Sequence, residues 1–330
     1  MPQGLSQGTN LVLYADDTKI WRQINSIDDH IILQNDIDYL NQWSIANKMK
    51  FHPSKCKVLT VSLSHLPPIS FTYSLGHTNL VYSECEKDLG VDITPKLNWK
   101  SQCDRLYTKA SQQLGIAKRN CFFVQDLKSR RALYLSLIRS QFENCSIIWR
   151  PTNDTLQNKL ERIQKRAIKW ILSEENRSYS SMEVYIKKCK EVDILPLSAK
   201  FDLNDLIFFH KIVYKLCPVE LPSYLTFYQG YSRLRTTHLD SLSIVSSISP
   251  RVPQNVTSSR SSSNPLERSF FYRTHLMWNR LGLEIRQIDS SASFKDTVIK
   301  HLWKSLIENS NQSIQDIQDF EDDRIDIDTG

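Results

Sequence analysis

The 330-residue chain lacks long apolar runs, has few glycines and contains no closely spaced pair of cysteines. A membrane-crossing helix needs about 20 predominantly apolar residues, so no membrane segment is expected. With only eight glycines, a glycine-rich loop around a nucleotide is not expected, and no small-molecule cofactor is predicted. The first residues lack the basic, apolar and small-residue stages of a signal peptide. We therefore expect an intracellular protein, nuclear or cytoplasmic and not secreted.

The seven cysteines are scattered along the chain and odd in number. Structural zinc sites need closely spaced pairs of ligands, and intracellular thiols are kept reduced. The cysteines are therefore interpreted as free thiols in or near cores, and no zinc site is expected.

Charge is distributed unevenly along the chain, although the formal net charge is only +6. Residues 100–169 contain fifteen Lys or Arg against five Asp or Glu, and residues 311–330 contain seven acids against one arginine. A strongly basic segment favours a polyanionic partner such as nucleic acid, although a solvated helical surface has the same pattern. The acidic end is predicted to be a disordered tail.

The first motif predicts a strand, a tight turn and a second strand. Residues 11–14 are apolar, residues 18–21 are rich in β-formers, and Asp16 and Asp17 stand between them. Adjacent carboxylates on a hairpin suit a divalent metal, because oxygen ligands favour Mg²⁺. Two such metals activate the attacking hydroxyl and stabilise the leaving pyrophosphate in nucleotidyl transfer. The site needs a further carboxylate on a neighbouring strand, and the alternative is an ordinary Asp-Asp turn.

The spacing of apolar residues predicts short strands followed by helices. Ser26 and Asp29 form a capping-box pattern, and Phe51-His52-Pro53 is expected to end the helix that follows. Strands are predicted at 55–63, 69–75, 79–82 and 89–93, and helices near 99–119, 127–148, 153–173, 180–216 with a break at Pro196, and 292–309.

The helix predicted at 153–173 has one apolar stripe, and its other faces are basic. Its cations are Lys159, Arg162, Lys165, Arg166 and Lys169. Further along, residues 240–265 contain ten serines and three prolines. This composition predicts a flexible linker or long loop.

An ordered series of motifs resembles reverse transcriptases of the non-LTR retrotransposon type. Tyr14-Ala15-Asp16-Asp17-Thr18-Lys19 resembles the (Tyr/Phe)-Ala-Asp-Asp catalytic motif in the form common in jockey-like elements. The segments that resemble the following motifs are Trp43, Asn47 and Lys50–Cys56, then Lys87–Val91 with Leu97-Asn98-Trp99 at the primer-grip position, and finally Phe270–Arg273 with Trp278–Leu281. The resemblance covers essentially the whole chain, and the order of the motifs carries it.

The resemblance implies an α+β fold, with a partial antiparallel palm followed by a mainly helical thumb and a helical extension. The implied segments are palm 1–98, thumb-like helices 99–178, C-terminal extension 179–239, Ser/Pro-rich linker 240–265, C-terminal helical segment 266–310 and acidic disordered tail 311–330. The implied activity is that of an RNA-directed DNA polymerase from a transposable element. Its partners are an RNA template and a DNA primer in a duplex.

Roles for single residues also follow from the resemblance. Asp16 and Asp17 are catalytic carboxylates that bind Mg²⁺ or Mn²⁺, weakly in this chain. Lys55 is the candidate for a lysine that donates a proton to pyrophosphate or steadies the nucleotide, with an exposed strand lysine as the alternative. Leu89 and Gly90 position the primer end. The five cations of residues 153–173 contact duplex phosphates as a group.

The departures from the family pattern lead to an expectation of little or no activity. In the family, the fingers and the first palm strands, with another metal-binding Asp, precede the Asp-Asp motif, whereas thirteen residues precede Tyr14 here. No endonuclease, Cys/His knuckle or ribonuclease H arrangement is found. The chain is therefore expected to be inactive alone, as a truncated element copy or a partial gene model. The alternatives are a non-enzymatic nucleic-acid-binding remnant acting through its basic helices, and a degraded fragment without function.

Overall fold

The chain folds as a mixed α+β protein that is mainly helical and has small sheets. The computed structural model describes residues 4–62, 69–174, 178–179, 181–227, 242–246 and 269–325, with the backbone alone at 245 and 311–325. Two compact units divide the chain, Met1–Trp99 and Lys100–Gly330. The boundary lies one residue from the predicted end of the palm-like segment. The finer division into thumb and extension stays a prediction.

The first unit contains one long helix and several short strands. In chain order its elements are β1 (Thr9–Tyr14), β2 (Asp17–Arg22), α1 (Ile27–Ala46), a 3₁₀ turn (Pro53–Lys55), β3 (Lys57–Val58), β4 (Ser74–Leu75), β5 (Thr78–Asn79), β6 (Val81–Tyr82), β7 (Glu86–Asp88) and β8 (Val91–Ile93). Over the described residues, β1–β2, β4–β5 and β7–β8 pair antiparallel, while β3 and β6 pair in parallel.

The predicted strand at 55–63 is wrong for most of its length. Pro53–Lys55 forms a 3₁₀ turn, and β3 covers only two residues. The other predicted strands are shorter than expected in the same way. An alternating pattern alone does not make a strand, because a strand also needs a partner backbone along its length. In the described part of this unit, such pairing lasts only two or three residues outside β1–β2.

Helix α1 begins with the predicted capping box. The Ser26 hydroxyl accepts a hydrogen bond from the Asp29 backbone N–H, and the Asp29 carboxylate accepts one from the Ser26 N–H at 3.1 Å. The N–H of Asn25 also donates to this carboxylate, at 2.9 Å, and this bond together with Arg22 lowers the pKa of Asp29. The helix ends at Ala46, before the predicted stop at Phe51-His52-Pro53. Lys48 has a φ of +56°, so the chain turns away there.

The core of the first unit lies between α1 and the short strands. Ile37 of α1 packs with Tyr73 and Leu75 as its buried centre. The partly buried members around that centre are Ile20, Leu33, Phe51, Cys56, Val58, Phe71 and Leu80. Since Ile20 belongs to β2, one face of the first hairpin is held against this core.

The second unit is helical. Its elements are α2 (Lys100–Asn120), α3 (Leu127–Tyr134), a π-helical turn (Leu135–Arg139), α4 (Ser140–Glu143), α5 (Ser146–Trp149), α6 (Asp154–Ile171), α7 (Met182–Glu191), α8 (Leu197–Val213), β9 (Leu225–Phe227), β10 (Ile244–Ser246), α9 (Phe270–Arg280), α10 (Leu283–Arg286) and α11 (Ser291–Ile325). The predicted helices near 99–119 and 153–173 are confirmed, as is the break at Pro196, which precedes α8. No helix within the described ranges combines the length and apolar content that a membrane crossing requires.

The helix predicted at 127–148 is interrupted. A π-helical turn follows α3, and Cys145 has a φ of +52° between α4 and α5. The Trp149 indole N–H donates to the Asn144 carbonyl at 2.7 Å, across the bend. The Trp149 side chain is fully buried beside this bend. The spacing of apolar residues in the sequence does not predict the bend.

Trp278 and Asn279 of α9 hold β10 in place. Trp278 is fully buried and its indole N–H donates to the Leu242 carbonyl at 2.9 Å. Asn279 accepts from the Ile244 N–H at 2.9 Å and donates to the Ile244 carbonyl at 2.7 Å. Residues 244–246 thus form a strand with β9 rather than a linker. The rest of the predicted linker, 240–241 and 247–265, lies outside the described residues.

The last helix continues past its predicted end at residue 309. Helix α11 runs to Ile325 in the backbone, into the segment predicted as a disordered acidic tail. No glycine or proline occurs between residues 283 and 329, so the sequence has no residue there that would stop a helix.

A buried ion cluster joins α5, α8 and α9. Asp205 is 1% exposed and accepts hydrogen bonds from two guanidinium nitrogens of Arg273, Nε at 2.8 Å and Nη2 at 3.1 Å. Arg150 contacts Asp205 at 3.1 Å and Asp202 at 2.6 Å. A buried carboxylate between two guanidinium groups is satisfied only while all three stay together.

We expect Asp205→Asn to lower the free energy of unfolding by about 3 kcal/mol, because it leaves the Arg273 charge without its buried counterion. Urea unfolding followed by circular dichroism measures the change. The matched control is Glu308→Gln, which breaks an exposed pair with Lys304 and should cost at most about 1 kcal/mol. Equal losses in the two variants would contradict a stabilising role for the buried cluster.

Candidate catalytic hairpin and nucleic-acid interface

The β1–β2 hairpin places both predicted catalytic carboxylates at its tip. Tyr14 pairs directly with Asp17, which leaves a two-residue turn of Ala15 and Asp16. Ala15 has a φ of +52°, as the first central residue of a tight hairpin turn requires. Asp16 therefore lies in the turn, and Asp17 is the first residue of β2.

Asp17 lies on the face of the hairpin that points away from its own core. Directly paired residues share a face, so Tyr14 and Asp17 lie beside the pair Val12 and Lys19. Tyr14 is 63% exposed and Val12 is 49% exposed. The opposite face contains Ile20, which packs against the core. Two carboxylates thus stand in water next to an uncovered apolar surface.

Leu89 and Gly90 form the tip of a second hairpin. Asp88 pairs with Val91, and the two turn residues have φ of +45° and +88°. Positive φ at both positions is the geometry of a type I′ turn. It is strained at Leu89, where a left-handed conformation costs on the order of 1–2 kcal/mol. The Leu89 side chain is 51% exposed, so this strained turn presents it to solvent.

An ion pair joins the two hairpins. Lys19 on β2 donates to the carboxylate of Asp88 on β7. Lys19 is two residues from Asp17, and Asp88 directly precedes Leu89, so the pair brings the Asp-Asp turn and the Leu-Gly turn into one neighbourhood. Sequence reasoning missed Asp88 in this role, because nothing local to residue 88 shows what its carboxylate contacts.

Lys55 makes no described contact with the hairpin carboxylates. It ends the 3₁₀ turn Pro53–Lys55 and is exposed. Its neighbours His52 and Ser54 bond to each other, with 2.9 Å between Nδ1 and Oγ. Within the described residues, no hydrogen bond or ion pair joins Lys55 to Asp16 or Asp17. Its catalytic role stays a prediction.

The two hairpin carboxylates are candidate ligands for part of a metal site. Their oxygen atoms are exposed and are the ligand type that Mg²⁺ prefers. Among the described residues, however, no group of three or more His, Cys, Asp or Glu side chains is placed to hold an ion. Asp16 and Asp17 fit two ligand positions, and the remaining positions would be filled by water or by a group from elsewhere.

In the second unit, α6 carries the predicted cations on one side. At about 100° per residue, the five lie within an arc of about 120°. They are Lys159, Arg162, Lys165, Arg166 and Lys169, hereafter the α6 basic stripe. The rest of the circumference is buried through residues such as Leu160, Ile163, Gln164 and Ile168.

The neighbours of the basic stripe leave most of its charge uncancelled. Lys159 pairs with Asp104 at 2.6 Å. The described contacts of the others are neutral: Arg166 donates to the Ser111 hydroxyl at 3.0 Å, and Lys165 and Lys169 lie over the rings of Tyr185 and Tyr179 at 4.9 and 5.0 Å. Arg162 is exposed. Cation–π contacts orient an ammonium group without neutralising it, so the stripe is a positive surface.

No protein-family model, curated protein or solved structure matches this chain.

We expect Mn²⁺ to bind weakly at the first hairpin, with a dissociation constant on the order of 1 mM, because few carboxylates hold it. Water-proton relaxation with Mn²⁺ measures the affinity. Asp16→Asn with Asp17→Asn should remove this binding, while Asp28→Asn, which removes an exposed acid from the first turn of α1, should leave it unchanged. Micromolar affinity in the wild type would show that a further protein ligand completes the site.

Proposed function

We propose that the chain carries the catalytic hairpin of an RNA-directed DNA polymerase of the non-LTR retrotransposon type, together with helices that hold the template–primer duplex. The observation that carries this proposal is the placement of Asp16 and Asp17 at the exposed tip of a two-residue hairpin. A core carboxylate used for folding would be buried and paired. These two are presented outward by a turn whose backbone is fixed by pairing up to Tyr14 and Asp17.

The second hairpin supports the same reading. Its Leu89-Gly90 turn is tied to β2 through the Lys19–Asp88 ion pair, so a primer end resting on that turn would lie beside the carboxylates. Both turn residues have positive φ, and a polynucleotide there would meet backbone and an exposed leucine. Such a surface positions a chain end by shape rather than by chemistry.

The carboxylates act as ligands in this scheme. Bound Mg²⁺ would supply activation of the primer hydroxyl and charge neutralisation at the leaving pyrophosphate. Asp16, in the turn, and Asp17, at the start of β2, would hold two ligand positions. A further carboxylate has to join them for in-line transfer, so we expect little or no primer extension from this chain by itself.

Primer extension on an RNA template with Mg²⁺ or Mn²⁺ tests the proposal. We expect the wild-type chain to extend at or near background, because the described site has only two carboxylates. Any extension should disappear in Asp16→Asn and persist in Asp28→Asn. Activity that persists in Asp16→Asn would exclude the hairpin as the catalytic site, and robust activity lost in Asp16→Asn would show that another carboxylate completes it.

A second candidate function is nucleic-acid binding without catalysis. The observation that favours it is the α6 basic stripe, where the contacts of the described residues include one ion pair, Lys159–Asp104, against five cations along one side of the helix. A row of cations that contacts phosphates binds without reading sequence and weakens as salt rises. The hairpin carboxylates are not needed for such binding.

The two functions separate in a duplex-binding experiment. Replacing Arg162, Arg166 and Lys169 by Gln should weaken duplex binding and reduce the slope of log K against log salt by about two to three, because each lost phosphate contact contributes about 0.9. Fluorescence anisotropy over a salt series measures this slope.

The matched control for that experiment replaces Lys295, Lys300 and Lys304, exposed on α11, by Gln. It has the same change in net charge and should leave the slope nearly unchanged. Equal effects in both variants would mean that net charge, and not the stripe, drives binding. Asp16→Asn with Asp17→Asn should bind like the wild type.

A further inference from the structure

Two adjacent phenylalanines stand in water at the corner between α2 and α3. Phe122 and Phe123 are 71% and 69% exposed, and their rings meet edge to face with centroids 5.8 Å apart. Neither ring belongs to the core, and neither has a role in the function proposed above. Contiguous exposed apolar surface is one of the features that mark contact sites, and these two rings form such a surface.

The backbone that carries the rings is held in place. Arg130 donates to the Val124 carbonyl at 2.6 Å and to the Gln125 side chain at 3.0 Å. Gln125 in turn donates to the Phe122 carbonyl at 2.9 Å. Arg130 itself is buried. The rings are therefore presented by a fixed loop, and their exposure needs no unfolding of the corner.

The same arginine ties this corner to the end of α6. Its guanidinium donates to the Trp170 carbonyl and to the Ser173 hydroxyl, both at 2.7 Å. Along the helices, Lys159 contacts Asp104 and Arg166 contacts Ser111, each pair 55 residues apart in sequence. Because the contact moves seven residues forward on both helices from the first pair to the second, α2 and α6 run parallel. Both helices therefore end at the corner that carries the phenylalanines.

Basic side chains lie on both helices near the corner. The basic stripe approaches along α6 through Arg166 and Lys169, and α2 ends with Lys118 and Arg119 in its last turn. Two acids lie near the same corner. Asp126 is the N-cap of α3 and accepts from the Ser129 N–H and hydroxyl, both at 2.8 Å, and Glu174, just past the end of α6, pairs with Lys188 at 2.8 Å. A row of cations thus leads to two aromatic rings.

We propose that Phe122 and Phe123 stack the unpaired bases of a nucleic acid whose phosphates follow the α6 basic stripe. Single-stranded nucleic acid is the occupant that matches both features, since phosphates need cations and each base offers a flat apolar face. An apolar protein partner has no use for the adjoining cations. The inference rests on the nucleic-acid binding proposed above. It adds that this corner binds single-stranded nucleotides adjacent to a duplex.

The test compares the full-length chain with Phe122→Ala plus Phe123→Ala. The ligands are a blunt duplex and the same duplex with a short single-stranded overhang containing 2-aminopurine. The wild type should bind the overhang ligand more tightly and change 2-aminopurine fluorescence. The double variant should lose about tenfold in affinity for the overhang ligand, the magnitude expected for one lost stacked base, and keep its affinity for the blunt duplex.

Controls distinguish the outcomes. Ile148→Ala plus Leu276→Ala removes two other exposed apolar side chains of the same unit and should behave like the wild type. Equal loss on both ligands, or no loss on either, would overturn the stacking role without contradicting duplex binding by the wild-type chain. Failure of the wild type to bind any nucleic acid would overturn both the inference and the function beneath it. Phenylalanine-dependent binding to phosphatidylserine vesicles, with no overhang preference, would identify a membrane surface as the occupant instead.

Discussion

Burial of one side of α6 is the constraint on which the helical unit depends. This helix packs against α2, α3, α7 and α8, and Gln164 at its centre is fully enclosed. The Gln164 amide accepts from the Tyr134 hydroxyl and donates to Tyr185 and to the Leu195 carbonyl, each at 2.9 Å. A buried amide that satisfies three neighbours fixes their positions. Because that side of α6 is buried in the core, the five cations on the remaining arc lie at the protein surface.

In the first unit, a different balance applies. The hairpin buries one face through Ile20 and leaves the other, with Tyr14 and Asp17, in water. Leu89 is held in a left-handed conformation and is exposed. The exposed apolar face of the first hairpin and the strained turn of the second both cost free energy, and the Lys19–Asp88 ion pair joins these two hairpins. Strain and exposed apolar surface of this kind are retained where a ligand or another chain segment uses them. This is the physical basis for proposing a polynucleotide-handling surface here.

Local signals in the sequence predicted local structure well. The capping box at Ser26, the turn between Tyr14 and Asp17, and the apolar stripe of α6 each depend on residues a few positions apart, and each is found. Signals failed where distant partners decide. Of the strand predicted at 55–63, only Lys57–Val58 is a strand, because its described pairing with β6 covers only these two residues. Residues 244–246 form a strand because Asn279 and β9 provide hydrogen-bond partners for their backbone. A serine-rich composition does not predict these distant partners.

For the candidate sites, the sequence by itself determined which groups are adjacent along the chain: two carboxylates in a hairpin turn and five cations on one side of a helix. Both follow from backbone periodicity, which depends only on residue spacing. The tertiary structure decided which groups from distant segments meet. It paired Lys19 with Asp88, kept Lys55 out of described contact with the carboxylates, and tied the Phe122–Phe123 corner to the end of α6 through Arg130. Side chains far apart in sequence are brought together by the packing of whole elements, and no local pattern encodes that.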